Sequence, residues 1–288
     1  MIIVLLLNIL IIGSGYGLTA MAFRLMASVS PFFNMALASF IAFGSYSVYA
    51  MTALFSISPY VAIPIGIAFC AVCAAILERA AFTPLREHGA SPMVLLVVSL
   101  GFYTIFESVL HLLFGPQYQI LGSISAENLK FETFSLTQVQ AITIACNFAV
   151  FIFLNYLLSH TFFGKTVRAV NNSSKLANII GLNNNKIILL VSGLTGAVLG
   201  LSGVLTGYDT GMEPTMGFNL LFKGIIAAII GGMNSMSGPF LGAFFLAGAE
   251  NIGVMILSSE WRDLVAFIIF IIFLVFRPQG IFQKKEHK

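Results

Sequence analysis

Charge is what this sequence has least of. Asp, Glu, Lys and Arg make up only 9 % of its 288 residues, against 58 % hydrophobic residues. An average soluble domain carries roughly 25 % charged residues. A chain this poor in charge cannot cover a water-facing surface without large apolar patches, so a water-soluble fold is excluded. The net charge of +3 comes with no basic tract beyond Lys284-Lys285, which leaves nothing for a nucleic acid to bind. Cysteine is scarce as well: Cys70, Cys73 and Cys146 all lie in apolar runs. Cys70 and Cys73 have the CxxC spacing of redox or metal chemistry. No second pair and no nearby histidine completes a metal site, and small apolar side chains on lipid-embedded helices account for all three.

Catalytic patterns are missing too. His88, His111, His160 and His287 form no HExxH-type cluster, and there is no GxSxG elbow. Gly164-Lys165-Thr166 has the ending of a phosphate-binding loop, but Ser159 stands where that loop needs glycine. The chain reads as a non-enzyme with no catalytic residue, metal or cofactor of its own. If ATP drives it, another subunit binds the nucleotide.

What is present is a series of long uncharged runs: residues 1–23, 25–77, 133–159, 187–208 and 224–249. About 20 apolar residues span a bilayer as a helix, and backbone groups in lipid must be paired internally. The runs do not alternate in polarity, as barrel strands would. The fold class is therefore all-α: a polytopic transmembrane bundle of about eight or nine helices in a single domain, 1–288. Spans are expected near 2–23, 33–56, 60–80, 92–114, 139–159, 187–207, 220–231, 239–257 and 264–276. The first is read as a retained helix, since no basic segment precedes it. The 220–231 piece is short for a full crossing, and Gly231-Gly232 and Gly238-Pro239 mark a turn after it.

Placing the basic loop His160–Lys186 on the inside and alternating outward leaves only Lys130, Lys223 and Arg262 of the 14 basic residues outside. By the positive-inside rule the C-terminus is then cytoplasmic. The outer loop Pro116–Gln138 carries Glu127, Lys130 and Glu132. Small residues recur four apart at Ser192, Gly196 and Gly200 and at Gly203 and Gly207, spacing that lets helix backbones approach closely in lipid.

Ionisable groups inside spans are costly and usually functional. Glu107, His111 and Glu250 are the candidates for a translocation path, and Glu107 and His111 share one helix face. A satisfied polar contact between helices is the other reading of these three. The segment Gly164–Lys186 reads as a helix–turn–helix at the membrane face. Val167, Val170, Leu176, Ala177, Ile180 and Leu182 would form its apolar stripe, broken at Asn171-Asn172-Ser173-Ser174, with Arg168, Lys175 and Lys186 in water. Such a helix can dock in a partner's groove.

Several local patterns occur together in order. They are Leu77-Glu78-Arg79 with Pro84-Leu85-Arg86, then Leu113-Phe114-Gly115-Pro116, then Gly164-Lys165 through Arg168-Ala169-Val170 with Ala177 and Gly181. Glu213-Pro214-Thr215-Met216-Gly217, Gly231-Gly232, Ser259-Glu260-Trp261-Arg262-Asp263 and Arg277-Pro278-Gln279-Gly280 follow. Over nearly its full length the chain resembles the permease subunits of ATP-binding-cassette importers for branched-chain amino acids. The family's Asn-Phe-Ala-His-Gly-like stretch is Asn34-Met35-Ala36-Leu37-Ala38 here, without the polar His-Gly pair. Lys175 and Leu176 replace the Glu and first Ala of the general importer coupling motif.

The resemblance implies a permease in the bacterial cytoplasmic membrane, working by alternating access. Its partners would be a second homologous permease, two cytoplasmic ATPase subunits that bind ATP and magnesium, and an extracytoplasmic amino-acid-binding protein. Gly164, Arg168, Asn171, Ala177 and Gly181 would form the ATPase-coupling surface in loop 160–187, with Ala177 and Gly181 facing the ATPase together. Two alternatives stand beside it: an importer permease for urea or short amides, which related permeases carry, and a stand-alone carrier or channel using Glu107 and His111.

Overall fold

The computed structural model describes residues 2–30, 32–121, 128–131, 134–179, 181–234, 236–256, 258–277 and 280–281. Helix α1 is Ile2–Ala27, α2 Leu37–Tyr49, α3 Pro59–Leu77, α4 Thr83–Glu87 and α5 Pro92–Phe114. After the strands β1 (Asn128–Phe131) and β2 (Phe134–Thr137) come α6 Gln138–His160, α7 Phe162–Asn172, α8 Ser174–Ile179 and α9 Asn184–Asp209. The chain continues through α10 Met216–Gly231, α11 Ser237–Ile256 and α12 Arg262–Phe276. π-helical turns, Ala50–Leu54 and Glu78–Phe82, extend α2 and α3.

Among the described residues, seven helices are long and apolar enough to cross a membrane. At 1.5 Å per residue, α10 and α12 reach only about 24 and 22 Å, short of a hydrocarbon core of roughly 30 Å. The expected spans lie on these helices. The loop 116–138 holds more order than expected: β1 and β2 pair antiparallel, with Asn128 opposite Thr137 and Phe131 opposite Phe134. Glu127 and Glu132 lie outside the described residues.

Local chemistry sets the helix ends. Ser91 accepts a hydrogen bond from the Val94 amide at the start of α5, with Pro92 in the first turn. Gly115, at φ +80°, stops α5, a backbone angle that glycine adopts without strain. Thr161 caps α7 and Asn183 caps α9 in the same way as Ser91.

Backbone contacts group the chain into two compact units. One comprises Leu25–Ile124 and Tyr156–Asn219, and its core is α2, α3 and α9. These helices meet through small residues. A Cβ on Gly196 would lie 2.5 Å from Ala74 Cβ and 2.6 Å from the Cys70 carbonyl oxygen. One on Gly200 would lie 2.8 Å from Cys70 Cβ, and one on Gly203 would strike the Ile41 carbonyl. Hydroxyls and a thiol reach across the same seam. Ser45 donates to the Gly203 carbonyl at 2.6 Å, Ser192 to Ala74 at 3.0 Å, and Cys70 Sγ to Phe40 at 3.4 Å. Gly207 faces Ser45 and Leu121. An antiparallel bridge between Gln119 and Met212, with N–O distances of 2.9 and 2.8 Å, ties the ends of α5 and α9.

The other unit comprises Met1–Arg24, Ser125–Asn155 and Leu220–Lys288. Here α10 and α11 turn back on each other through glycine: a Cβ on Gly231 would meet the Gly238 carbonyl, and one on Gly242 the Ala227 carbonyl. Past α12, Gly280 at φ +83° packs on Gly232, and the Ile281 amide donates to the Ile230 carbonyl at 2.8 Å. Arg24 donates to the carbonyls of Met233 and Asn234 at 3.1 and 3.3 Å, closing the end of α10.

The seam yields a test. Gly203→Leu places atoms on a backbone carbonyl that cannot move aside, and should cost about 3 kcal/mol or more. It should abolish a monodisperse peak in detergent chromatography. Gly193→Ala, whose added Cβ stays 3.5 Å or more from its neighbours, should leave peak and melting temperature unchanged.

Candidate functional site

Loop 160–187 forms the helix pair α7–α8, and its residues divide into those that hold it in place and those it presents. Gly164 is buried where α7 turns off α6, and a Cβ there would lie 2.6 Å from the Leu157 carbonyl oxygen and closer still to that of Leu158. Arg168 donates to the Leu158 carbonyl, a cation on the last turn of α6. Val167 and Val170 are buried beneath α7, and Ala177 beneath α8. Asn171 and Asn172 are exposed.

Two expectations for this segment need correction. Ala177 and Gly181 do not share a helix face: α8 ends at Ile179, and Gly181 at φ +85° is its stop. The Leu182 amide donates back to Ala177 at 3.0 Å and the Gly181 amide to Asn178 at 3.0 Å, the bonding of a glycine C-cap. Leu176 is not in the buried stripe either; it is 64 % exposed, and Ile179, three residues on, is 78 % exposed. Among the described residues α8 thus turns Leu176 and Ile179 outward, and Phe162 at the start of α7 is 77 % exposed as well. The turn at Asn171-Asn172-Ser173-Ser174 was expected, but the rotation of the six-residue helix after it is not set by the sequence spacing. Ile180 lies outside the described residues.

Behind α7 and α8 is a cavity of about 640 Å³ lined by Ser30, Arg86, Asn171, Asn184, Asn185 and others. Arg86 pairs with the fully buried Glu78, and Thr83 stands at the same carboxylate. Asn185 donates to Glu87 at 2.6 Å, fastening the start of α9 to the end of α4. The pattern Leu77-Glu78-Arg79 with Pro84-Leu85-Arg86 thus encodes a buried ion pair and the turn that carries it.

The three intramembrane candidates separate. Glu250 is fully buried. It accepts a hydrogen bond from the Tyr16 hydroxyl at 2.8 Å, and the Lys223 ammonium stands 3.5 Å away. That ammonium also donates to Tyr16 Oη at 3.1 Å and pairs with Asp263 at 2.9 Å. One cation thus joins α1, α10, α11 and α12. Lys223, assigned from sequence to the outer side, is a side chain of α10 only 16 % exposed. The signal for it was a lone lysine in an otherwise apolar helix, readable as a pair with Glu250 only once the helices are packed. Glu107 and His111 are different: they face each other at 3.9 Å with side chains 22 % and 36 % exposed. Among the described residues no cluster of three or more His, Cys, Asp or Glu could hold a metal ion.

The four-helix contact carries a prediction. Removing one member of a buried pair costs about 3–5 kcal/mol because the other charge is left uncompensated, whereas replacing both can be neutral. Lys223→Met should lower the melting temperature in detergent. Adding Glu250→Leu to it should restore much of the loss.

Other patterns noted in the sequence prove to be close approaches of backbone: Gly217 against the Ala38 carbonyl, Gly231 against Gly238, Gly280 against Gly232. The model of the family described as branched-chain amino acid transport system / permease component matches residues 5–274. The high-affinity branched-chain amino acid transport system permease protein BraD of Pseudomonas aeruginosa is 29 % identical over 296 residues, covering 98 % of this chain and 95 % of its own. LivH of Escherichia coli K12, a permease protein of the same description, is 25 % identical over 96 % of this chain and 93 % of its own. The probable branched-chain amino acid transport permease protein LivH of Methanocaldococcus jannaschii is 27 % identical over 86 % and 82 %. This multi-pass membrane protein belongs to the branched-chain amino acid transport system permease component family.

Proposed function

We propose that the chain is the permease subunit of an ATP-driven importer that moves branched-chain, hydrophobic amino acids across the cytoplasmic membrane. The observation that carries this is end-to-end similarity to transport permeases of that description, 98 % of this chain against 95 % of one relative. A second permease completes the pore. Two cytoplasmic ATPases hold ATP and magnesium, and an extracytoplasmic protein delivers the substrate. The cytoplasmic placement of loop 160–187 and of the C-terminus rests on the distribution of Lys and Arg.

Loop 160–187 is the ATPase-docking element in this reading. Leu176 and Ile179 are exposed apolar side chains three apart on one face of α8, which suits insertion into a groove. Gly164, Arg168, Ala177 and Gly181 hold the element in shape, and Asn171 lies on its exposed rim. Nucleotide-driven changes in the ATPases then bias the permease between its inward- and outward-open states by binding one better than the other.

Two measurements test the reading. Affinity purification of the tagged chain in mild detergent should recover P-loop ATPases and a second permease. The double variant Leu176→Asp, Ile179→Asp should reduce leucine uptake at least tenfold while inserting into the membrane at the wild-type level. Normal uptake in that variant overturns the docking assignment. Recovery of the chain alone, with uptake that follows a proton gradient without ATP, would make it a stand-alone carrier instead.

A further inference from the structure

Helix α5 has two dissimilar halves on its outward face. Its buried side is Leu95, Ser99 and Leu110. At 3.6 residues per turn, Val97, Gly101, Thr104 and Ser108 lie opposite that side. In the first half the exposed positions are large and apolar: Met93, Val94, Val97 and Leu100. In the second half small and polar residues, Gly101, Thr104 and Ser108, are exposed among Ile105, Val109, Leu112 and Leu113, with Glu107 and His111 to one side. Glu107 stands seven residues before the end of α5, roughly 10 Å inside it. A partly exposed carboxylate at that depth is not tolerated against hydrocarbon; such groups face a bundle interior or water. Tyr103, one turn before it, hydrogen-bonds to its carboxylate and His111 stands 3.9 Å away, yet 22 % of the Glu107 side chain stays exposed. Glu250 shows the contrast, with no exposure.

We propose that the outward face of α5 from Gly101 to His111 is a water-lined wall of the translocation path, and that the Glu107 carboxylate meets the α-ammonium group of a passing amino acid. The wall itself follows from exposure and depth; the nature of the substrate rests on the importer reading.

The experiment places single cysteines by Ser108→Cys and Thr104→Cys in the assembled transporter, with Val72→Cys as a comparison. Val72 is 55 % exposed on α3 and has no polar neighbour of this kind. The native Cys70, Cys73 and Cys146 set the background. A membrane-impermeant, charged methanethiosulfonate reagent applied to both faces should modify Cys at 108 or 104 at least tenfold faster than Cys at 72. Saturating leucine should slow that reaction. Rates at 108 and 104 no faster than at 72, with all three open to membrane-soluble N-ethylmaleimide, would place the face in lipid and overturn the wall. Glu107→Gln should raise the KM for leucine uptake at least tenfold with kcat little changed; an unchanged KM removes the ammonium contact. Labelling does not depend on the energy source. A chain that labels at 108 yet recovers no ATPase keeps the wall and loses the importer reading.

Discussion

Helix backbones touching through glycine are the constraint from which this protein is built. In lipid there is little hydrophobic force between helices, because the acyl chains are as apolar as the side chains. Association then depends on close fit and on hydrogen bonds across the contact. The seam of α2, α3 and α9 has both: Gly196, Gly200 and Gly203 bring main chains together, and Ser45 and Ser192 bond carbonyls across it. The same solution recurs where Gly231, Gly238 and Gly242 fold α11 onto α10. Elements that carry polar chemistry, α5 and the α7–α8 pair, are attached to these frames and expose more of their surface.

With so few charges available, the use of each is telling. Arg86 and Glu78 form a buried pair in the segment between α3 and α5. Lys223 draws Tyr16, Glu250 and Asp263 into one contact. Both are closed arrangements, in which breaking one partner harms the fold. Glu107 is the open arrangement, partly exposed, hydrogen-bonded by Tyr103 and 3.9 Å from His111. Burial separates Glu78 and Glu250 from Glu107, while Asp263, 74 % exposed, joins the Lys223 contact from its rim.

Much of the fold was legible because lipid imposes a simple rule. A run of about 20 apolar residues has no other stable form in a bilayer than a helix, so the expected span 92–114 coincides with α5. Glycine spacing likewise announced close packing before any partner helix was known. The α7–α8 pair was expected from its apolar stripe and its Asn/Ser turn, but its outward face was not. Leu176 and Ile179 are exposed because a residue count across the break at Ser173 cannot tell how far the second helix rotates.

The sequence by itself determined that the chain is a membrane protein of many helices, with a polar helix pair between two spans. Those properties follow from composition and local period, which each segment carries alone. Tertiary structure decided which charges find one another. Lys223 lies 27 residues before Glu250 and 40 before Asp263, and no local rule joins them; packing of α10 against α11 and α12 does. It decided also that Ala177 is buried and Leu176 exposed, and that Glu250 is enclosed while Glu107 is not. Burial and pairing are properties of neighbours in space, and a helix read alone does not state its rotation.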